Sequence, residues 1–421
     1  MRINFKNERE VKMEDKREEE GLQKINWVSE RMPVLKTVKN FLVKEKIFDG
    51  LKIGMSIHIE AKTANLVFAL SEAGACIYVA GSNTLSTHDD IAYVLSKKGI
   101  NVFAWRGETE EDHLANLRKV LDNKPDLIVD DGGDLTVLLS KELEYKELTP
   151  IGGTEETTTG IKRITSLESE GLLRFPVIGV NNASTKHLFD NRFGTGESVL
   201  STIMNITNLS IATKNLVVAG YGWVGRGIAG KARAFGAKVY ITEVDPVKAM
   251  EADFDGFYVY SMDEASKIGD IFITTTGNIN VITQRHFELM KDGAILCNAG
   301  HFNKEIDVQA LNDFSSSKRF IKPNIDEYFL YNGRRLYLIG KGDIVNLIAG
   351  DGKPAEIMDL SFSLEALSLE YLVRNRGGFI PKLYAVPNSI DLRIAELYLG
   401  ARGIKIDRLD QTQKQYRSSW F

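Results

Sequence analysis

Cysteine is almost missing from this chain of 421 residues: Cys76 and Cys297 are the only two, more than two hundred residues apart and without a nearby paired His/Cys spacing. That excludes a disulfide framework, gives no metal signature, and leaves both thiols to be read as buried apolar residues. Long apolar runs are missing too. The longest, such as "NLVVAG" and "DIFITTTG", fall far short of the roughly 20 residues a membrane-spanning helix requires, and the N-terminus carries no apolar signal core, so a cytoplasmic protein without a membrane partner is expected. An excess of one charge is also absent, with 53 basic against 57 acidic residues. Bulk electrostatics therefore offer nothing to nucleic acid or a lipid surface, and small molecules are the expected ligands. Neither a short-period repeat nor a low-complexity linker interrupts the text.

An apolar content of 43% over this length supports two or three domains with full cores. Residues 1–20 are mostly charged and are expected to form a solvated helix or mobile arm. From Gly54 onward, "ACIYVAGSN", "LSTHDDIAYVLSKKG", "INVFAWRG", "ETEEDHLANLRKVLDNK", "PDLIVDDGGD" and "FPVIGVNNAS" alternate apolar runs with amphipathic stretches, the rhythm of a parallel sheet covered by helices. A second set follows: "NLVVAG", "AKVYITEVD", "GFYVY", "DIFITTTGN" and "GAILCNAGH". The reading is an α/β protein with two doubly wound parallel-sheet domains. The first covers 21–189 plus 352–400, regained through the helical "PAEIMDLSFSLEALSLEYLVRN"; the second covers 190–351; a short tail occupies 401–421.

Within the second set, Gly220, Gly222 and Gly225 form G-x-G-x-x-G between a strand and a helix, and Glu243 ends the next strand. Glycines let backbone approach a pyrophosphate at the helix N-terminus, and the acid accepts hydrogen bonds from ribose hydroxyls, so this is a dinucleotide site. Glu243 would repel the additional phosphate of NADP, which favours NAD; Lys248 nearby softens that preference.

Four blocks, "DDGGDLT" (130–136), "GGTEETTTGIKR" (152–163), "VNNASTKHLFDNRFGTGES" (180–198) and "CNAGHFNKEID" (297–307), resemble the signature segments of the S-adenosylhomocysteine hydrolase family, and "WRGETEE", "RHFELMKDGAI" and "IKPNIDEY" extend the match from about Gly21 to the C-terminus. The resemblance implies bound NAD that oxidises a ribose 3′-hydroxyl, acidifying C4′ so that homocysteine is eliminated from C5′, followed by water addition and re-reduction. It implies Lys186 as the base for the 3′-hydroxyl with Asp190 beside it, Asp131 for the C4′ proton, Glu156 on the ribose hydroxyls, and His58 and His301 flanking C5′. Thr157, Thr158, Thr159 and Asn191 would reach NAD from the hinge side, with Thr275, Thr276, Asn278 and Asn346 around the nicotinamide. Glu60, Lys62, Thr63, Lys353 and Met358 would surround the purine. A homotetramer, a substrate in the cleft between domains, and hinges near 185–190 and 350–355 are implied as well. Taken singly these residues also admit plainer readings, as a surface ion pair, a helix cap or a structural histidine.

Departures from the family pattern matter. Lys62 stands where most relatives carry Glu or Gln against the adenine 6-amino group, and an ammonium can only donate. Lys353 replaces the usual His. Both suit a hypoxanthine carbonyl, so S-inosylhomocysteine is an alternative substrate to the adenosyl compound; the plain alternative has Lys62 facing solvent or a ring nitrogen. His88, Thr195 and Asn182 also differ. The ending "QTQKQYRSSWF" lacks the extension through which many relatives clamp NAD, leaving the strength of NAD retention open. Two rivals remain: a simple NAD-dependent dehydrogenase, which would need neither Asp131 nor the paired His58 and His301, and a silent NAD-binding regulator, which would be expected to lose Lys186, Asp190 or His301.

Overall fold

A computed structural model of the chain describes residues 8–420, so the first seven residues of the expected arm lie outside it. Among the described residues fifteen strands make two sheets. The first sheet opens with β1 (Lys52–Ser56), β2 (Cys76–Ala80), β3 (Asn101–Phe103), β4 (Leu127–Asp130), β5 (Gly152–Glu155) and β6 (Val177–Gly179). The second holds β7 (Asn215–Ala219), β8 (Lys238–Thr242), β9 (Tyr258–Val259), β10 (Ile271–Thr274), β11 (Ala294–Asn298), β12 (Ser315–Lys322), β13 (Ile325–Leu330) and β14 (Arg335–Ile339), and β15 (Leu383–Ala385) then returns to the edge of the first.

The first sheet runs β3-β2-β1-β4-β5-β6-β15 and is parallel throughout. The second runs β9-β8-β7-β10-β11-β14-β13-β12, parallel as far as β14 and antiparallel beyond it. Each sheet therefore reverses its winding once, between β1 and β4 and between β7 and β10. At such a point the loops leaving adjacent strands diverge and open a crevice at the carboxyl ends of the strands. Strands β4 (LIVD), β10 (IFIT) and β11 (AILCN) are buried at every position, as unbroken apolar runs must be when helices cover both faces. Local chemistry starts the helices: Thr109 and Asp112 form a reciprocal capping box, and Asp245 caps a helix with Pro246 in its first turn.

Some elements differ from the sequence reading. Helix Glu8–Ser29 runs unbroken through residue 20, where the charged arm was expected to end, because Gly21 and Ile25 bury one face. A Cβ at Gly21 would come within 2.7 Å of the Asp90 carbonyl oxygen, so this close approach needs glycine. The expected hinge near 185–190 is a continuous helical passage: Ser184–Lys186, a π-helical turn His187–Gly194, then Thr195–Thr207. No helix among the described residues is long and apolar enough to cross a membrane.

Helix Ala355–Arg374 is buried along most of its length against the first sheet's core. Its Asp359 carboxylate accepts the backbone N–H groups of Val34 (3.0 Å) and Leu35 (2.7 Å), two donors at the start of helix Pro33–Glu45 that the helix itself leaves unsatisfied. Replacing Asp359→Ala orphans both inside the core, so unfolding in urea should show a loss of about 1–3 kcal/mol, with Asp359→Asn, which keeps one acceptor, falling between.

Candidate active site

The carboxyl ends of the two sheets supply the named side chains. His58 follows β1, Asp131 follows β4, Glu156 follows β5 and Lys186 lies in the helical passage after β6; Gly220, Glu243, Thr275 and His301 follow β7, β8, β10 and β11. The two edges touch. A Cβ at Gly132, whose φ is +112°, would collide with the His301 ring, so the glycine turn after β4 is what lets the second domain's histidine close over Asp131. Across the same cleft Arg106 donates to the Ile348 carbonyl (2.6 Å) and Asn83 to the Asp343 carboxylate (3.0 Å).

Asp131 sits between the two imidazoles, its Oδ2 3.6 Å from His58 Nε2 and its Oδ1 3.8 Å from His301 Nδ1, all three side chains buried. His58 Nδ1 shares a 2.7 Å hydrogen bond with Ser86 Oγ. Burial pushes His58 down to about 4 despite the opposing charge of Asp131, so the ring is neutral at pH 7. Asp131 Oδ1 and His301 Nε2 are buried without a hydrogen-bond partner, polar atoms available to a substrate. The nitrogen and oxygen atoms of the three residues lie within 4.8 Å of one another, spacing that could also hold a divalent ion.

A second cluster adjoins. The buried Asp190 carboxylate meets Lys186 Nζ at 3.1 Å, Lys353 Nζ at 2.5 Å and the Ser361 hydroxyl at 2.7 Å. Burial alone would raise Asp190, but the two ammonium groups hold it down at about 2. Lys186 also donates to Asn191 Oδ1 (2.8 Å), whose amide donates to Asn181 (2.9 Å), and Asn181 in turn to Thr158 (3.2 Å). Glu156 is buried in the field of these groups and is pushed up to about 8, burial outweighing the attraction of Lys186 and Lys353. Its neighbour Glu155 is a strut: one carboxyl oxygen accepts from Gly132 N, Thr157 N and the Thr157 hydroxyl, bracing the turns after β4 and β5.

The dinucleotide cradle is formed. Gly220 has φ +98°, a Cβ at Gly225 would collide with the Gly220 carbonyl, and Gly222 opens helix Trp223–Ala234 with nothing within 4 Å of its Cβ position. Glu243 accepts from Tyr221 N (2.6 Å), Val244 N (2.8 Å) and Asp245 N (3.1 Å), which fixes the carboxylate beside the turn. Lys248 pairs with Asp245 at 3.5 Å rather than with Glu243. Thr275 donates to the Ala219 carbonyl, Thr276 to Glu305, and Asn278 lies exposed beyond them with its side chain on Ile279 N. Thr159 faces Gly277 across the cleft. Asn346 is fully buried; its amide donates to Ser198 and its carbonyl oxygen has no partner. An open glycine cradle, a fixed acid and an orphaned buried carbonyl fit NAD.

Lys62, expected at the purine, is buried rather than facing solvent. Its ammonium contacts Glu60 Oε2 and the Asp351 carbonyl, each at 2.5 Å, while Glu60 caps the helix that carries Lys62. Thr63 gives its hydroxyl to the His58 carbonyl and Met358 belongs to the apolar core. Lys353, expected at the purine, has its ammonium on Asp190 instead. Ser86, Asn181, Ser361 and Glu305 complete the site and were not assigned roles from sequence; Glu305 lies inside the quoted "CNAGHFNKEID", whereas a lone serine offers no signal.

An enzyme that works with NAD in a cleft between two Rossmann-type units is the class this geometry defines. Residues 10–151 match the family description S-adenosyl-L-homocysteine hydrolase, and residues 191–352 match S-adenosyl-L-homocysteine hydrolase, NAD binding domain. The chain is 50% identical over 402 residues to an adenosylhomocysteinase from Sulfurisphaera tokodaii, covering 96% of each chain. It is also 50% identical over 402 residues to an S-inosyl-L-homocysteine hydrolase from Methanocaldococcus jannaschii, covering 95% of this chain and 96% of the other. It belongs to the S-adenosyl-L-homocysteine hydrolase family, with NAD as its cofactor.

Removing the carboxylate that the buried Lys186 and the partly buried Lys353 share leaves both charges uncompensated. Asp190→Ala should therefore cost about 3–5 kcal/mol, read as a lowered Tm in thermal denaturation. Because Asp190 is depressed from 3.8 to about 2, its contribution is complete above pH 3.8 and fades as pH falls toward 2, so the gap between wild type and variant should hold steady near neutrality and shrink only in acid.

Proposed function

We propose that the protein hydrolyses S-adenosyl-L-homocysteine, reversibly, to adenosine and L-homocysteine. The observation that carries this is the adjacency of two buried clusters: a lysine with a carboxylate, suited to an alcohol proton, and an aspartate between two imidazoles, suited to elimination and addition. When bound, NAD supplies the oxidation of the ribose 3′-carbon and its later reversal. Lys186 takes the 3′-hydroxyl proton while Asp190 and Glu156 hold the ribose hydroxyls; Glu156, protonated below about pH 8, donates to them. Asp131 removes the C4′ proton, now acidic beside the ketone, as the C5′–S bond breaks. His301 protonates the departing thiolate, and neutral His58 accepts a proton from the water that adds at C5′. Closure of the cleft keeps bulk water from the ketone. Against the rival readings stand Asp131 and its two imidazoles, which a plain dehydrogenase does not need and a silent regulator has no reason to keep packed.

S-inosyl-L-homocysteine is the second reading. Glu60 and Lys62 present an acceptor and a donor together, and after its contacts with Glu60 and Asp351 the Lys62 ammonium retains one N–H that a hypoxanthine carbonyl would satisfy. The form we propose is a cytoplasmic homotetramer; the exposed apolar side chains Ile404, Ile406, Leu409 and Tyr416 along the tail support assembly.

Released homocysteine measured side by side on the two substrates tests the proposal. Faster release from the adenosyl compound is expected; tenfold faster release from the inosyl compound would replace the first reading with the second. Lys62→Gln should then lower the inosyl-to-adenosyl ratio by about tenfold, the value of one buried hydrogen bond, and an unchanged ratio would remove Lys62 from base recognition.

A further inference from the structure

Asp190 is the one carboxylate within ion-pair distance of Lys186 among the described residues, and Lys186 does not have it to itself. Lys353 reaches in from the segment that returns to the first sheet and lies nearer, 2.5 Å from Oδ1 against 3.1 Å from Lys186 to Oδ2. Burial works against the charge of Lys353, but Asp190 and Glu156 beside it outweigh that and hold its ammonium above the ordinary range. The other groups facing the pair come from four elements: Glu156 after β5, Asp131 after β4, His58 after β1, and Glu365 with Ser361 on helix Ala355–Arg374. Burial pushes Glu156 up to about 8, raises Glu365 and lowers His58 to about 4, whereas Asp190 is the carboxylate here that its neighbours hold down, at about 2.

A lysine with a carboxylate of its own is pinned as the ammonium, whereas one beside a second fixed cation releases its proton more readily. We propose that Lys353 is a positioning residue for Lys186: by occupying Asp190 and standing as a neighbouring cation, it keeps the Lys186 amine able to shed its proton. The inference rests on the reading of Lys186 as the base for the 3′-hydroxyl. It moves Lys353 from the purine, where the family pattern put it, to the ribose.

The test compares Lys353→Met, which keeps length without charge, with Lys353→Arg, which keeps charge. Two readouts are followed in NAD-loaded protein: the titration midpoint of Lys186, from ¹³C-labelled lysine resonances assigned with Lys186→Arg, and the pH dependence of the absorbance of reduced cofactor on mixing with S-adenosylhomocysteine. Lys353→Met should move both midpoints upward by about 1–3 units, with at least a tenfold slower reduction below the midpoint that is regained at higher pH; Lys353→Arg should keep both midpoints near wild type. Unmoved midpoints, a loss equal at every pH, or a raised KM alone would overturn the proposal. If wild-type protein yields no reduced cofactor, the reading of Lys186 as base fails, while the Lys186 midpoint still reports whether the two lysines are coupled.

Discussion

The Asp190 carboxylate is the constraint on which the site depends. It is wholly out of water, and an ion so placed costs several kcal/mol that only close partners can offset. Its partners come from three stretches of chain: Lys186 one turn earlier, Lys353 on the returning segment, and Ser361 on the long buried helix. Satisfying one charge therefore brings the passage out of the first domain and the segment back into it to the same point. The π-helical turn His187–Gly194 belongs to this arrangement. Its wider winding is a form found at functional sites because it re-aims side chains that a regular helix would space evenly.

The same environment sorts the acids. Asp190 is held near 2 by its lysines, whereas Asp130 rises to about 6 and Glu156 to about 8 because burial dominates around them, and Glu155 and Glu365 move the same way. Carboxyl groups of one intrinsic kind thus stand in the cleft both as anions and as neutral donors at one pH. A dry pocket could not hold all of them ionised, since each uncompensated anion would carry its full desolvation penalty. Raising Glu156 to about 8 lets the fold place a proton-carrying group beside Asp190 without adding a second charge near neutrality.

Much of this was legible in the sequence wherever the signal is local. The glycine fingerprint, Glu243 and the apolar runs of β2, β4, β7, β8, β10 and β11 are contiguous patterns, and the long family blocks carried Asp131, Lys186, Asp190 and His301 with them. Strand β5 escaped because "GGTE" has no apolar pattern; its glycines are there because Phe175, Ile128 and Leu372 pack onto its backbone. Strand β12 escaped because it is exposed at nearly every position, so no alternation marks it. Ser86 and Ser361 escaped because a hydroxyl's partner lies far along the chain. Lys353 could be seen as a departure, but not where its ammonium goes, since Asp190 is 163 positions away and a flexible four-carbon stem reaches either end of the pocket.

Lys62 and Lys353 follow one rule. Each is turned onto a carboxylate, Lys62 onto Glu60 and Lys353 onto Asp190, so that neither adds an unpaired charge to the cleft. A lysine placed at a buried site can neutralise itself by losing its proton or find an acid, and both have found one. The consequence differs at the two ends because the acids differ in use. The Lys62–Glu60 pair would, under the proposed function, lie away from bond-making and alter only which base edge fits. At the other end the acid is the one that Lys186 also contacts, so under the proposed roles the substitution would act on the strength of a base. The proposed roles thereby divide a change that looks like one of recognition at both positions into one of recognition and one of proton transfer.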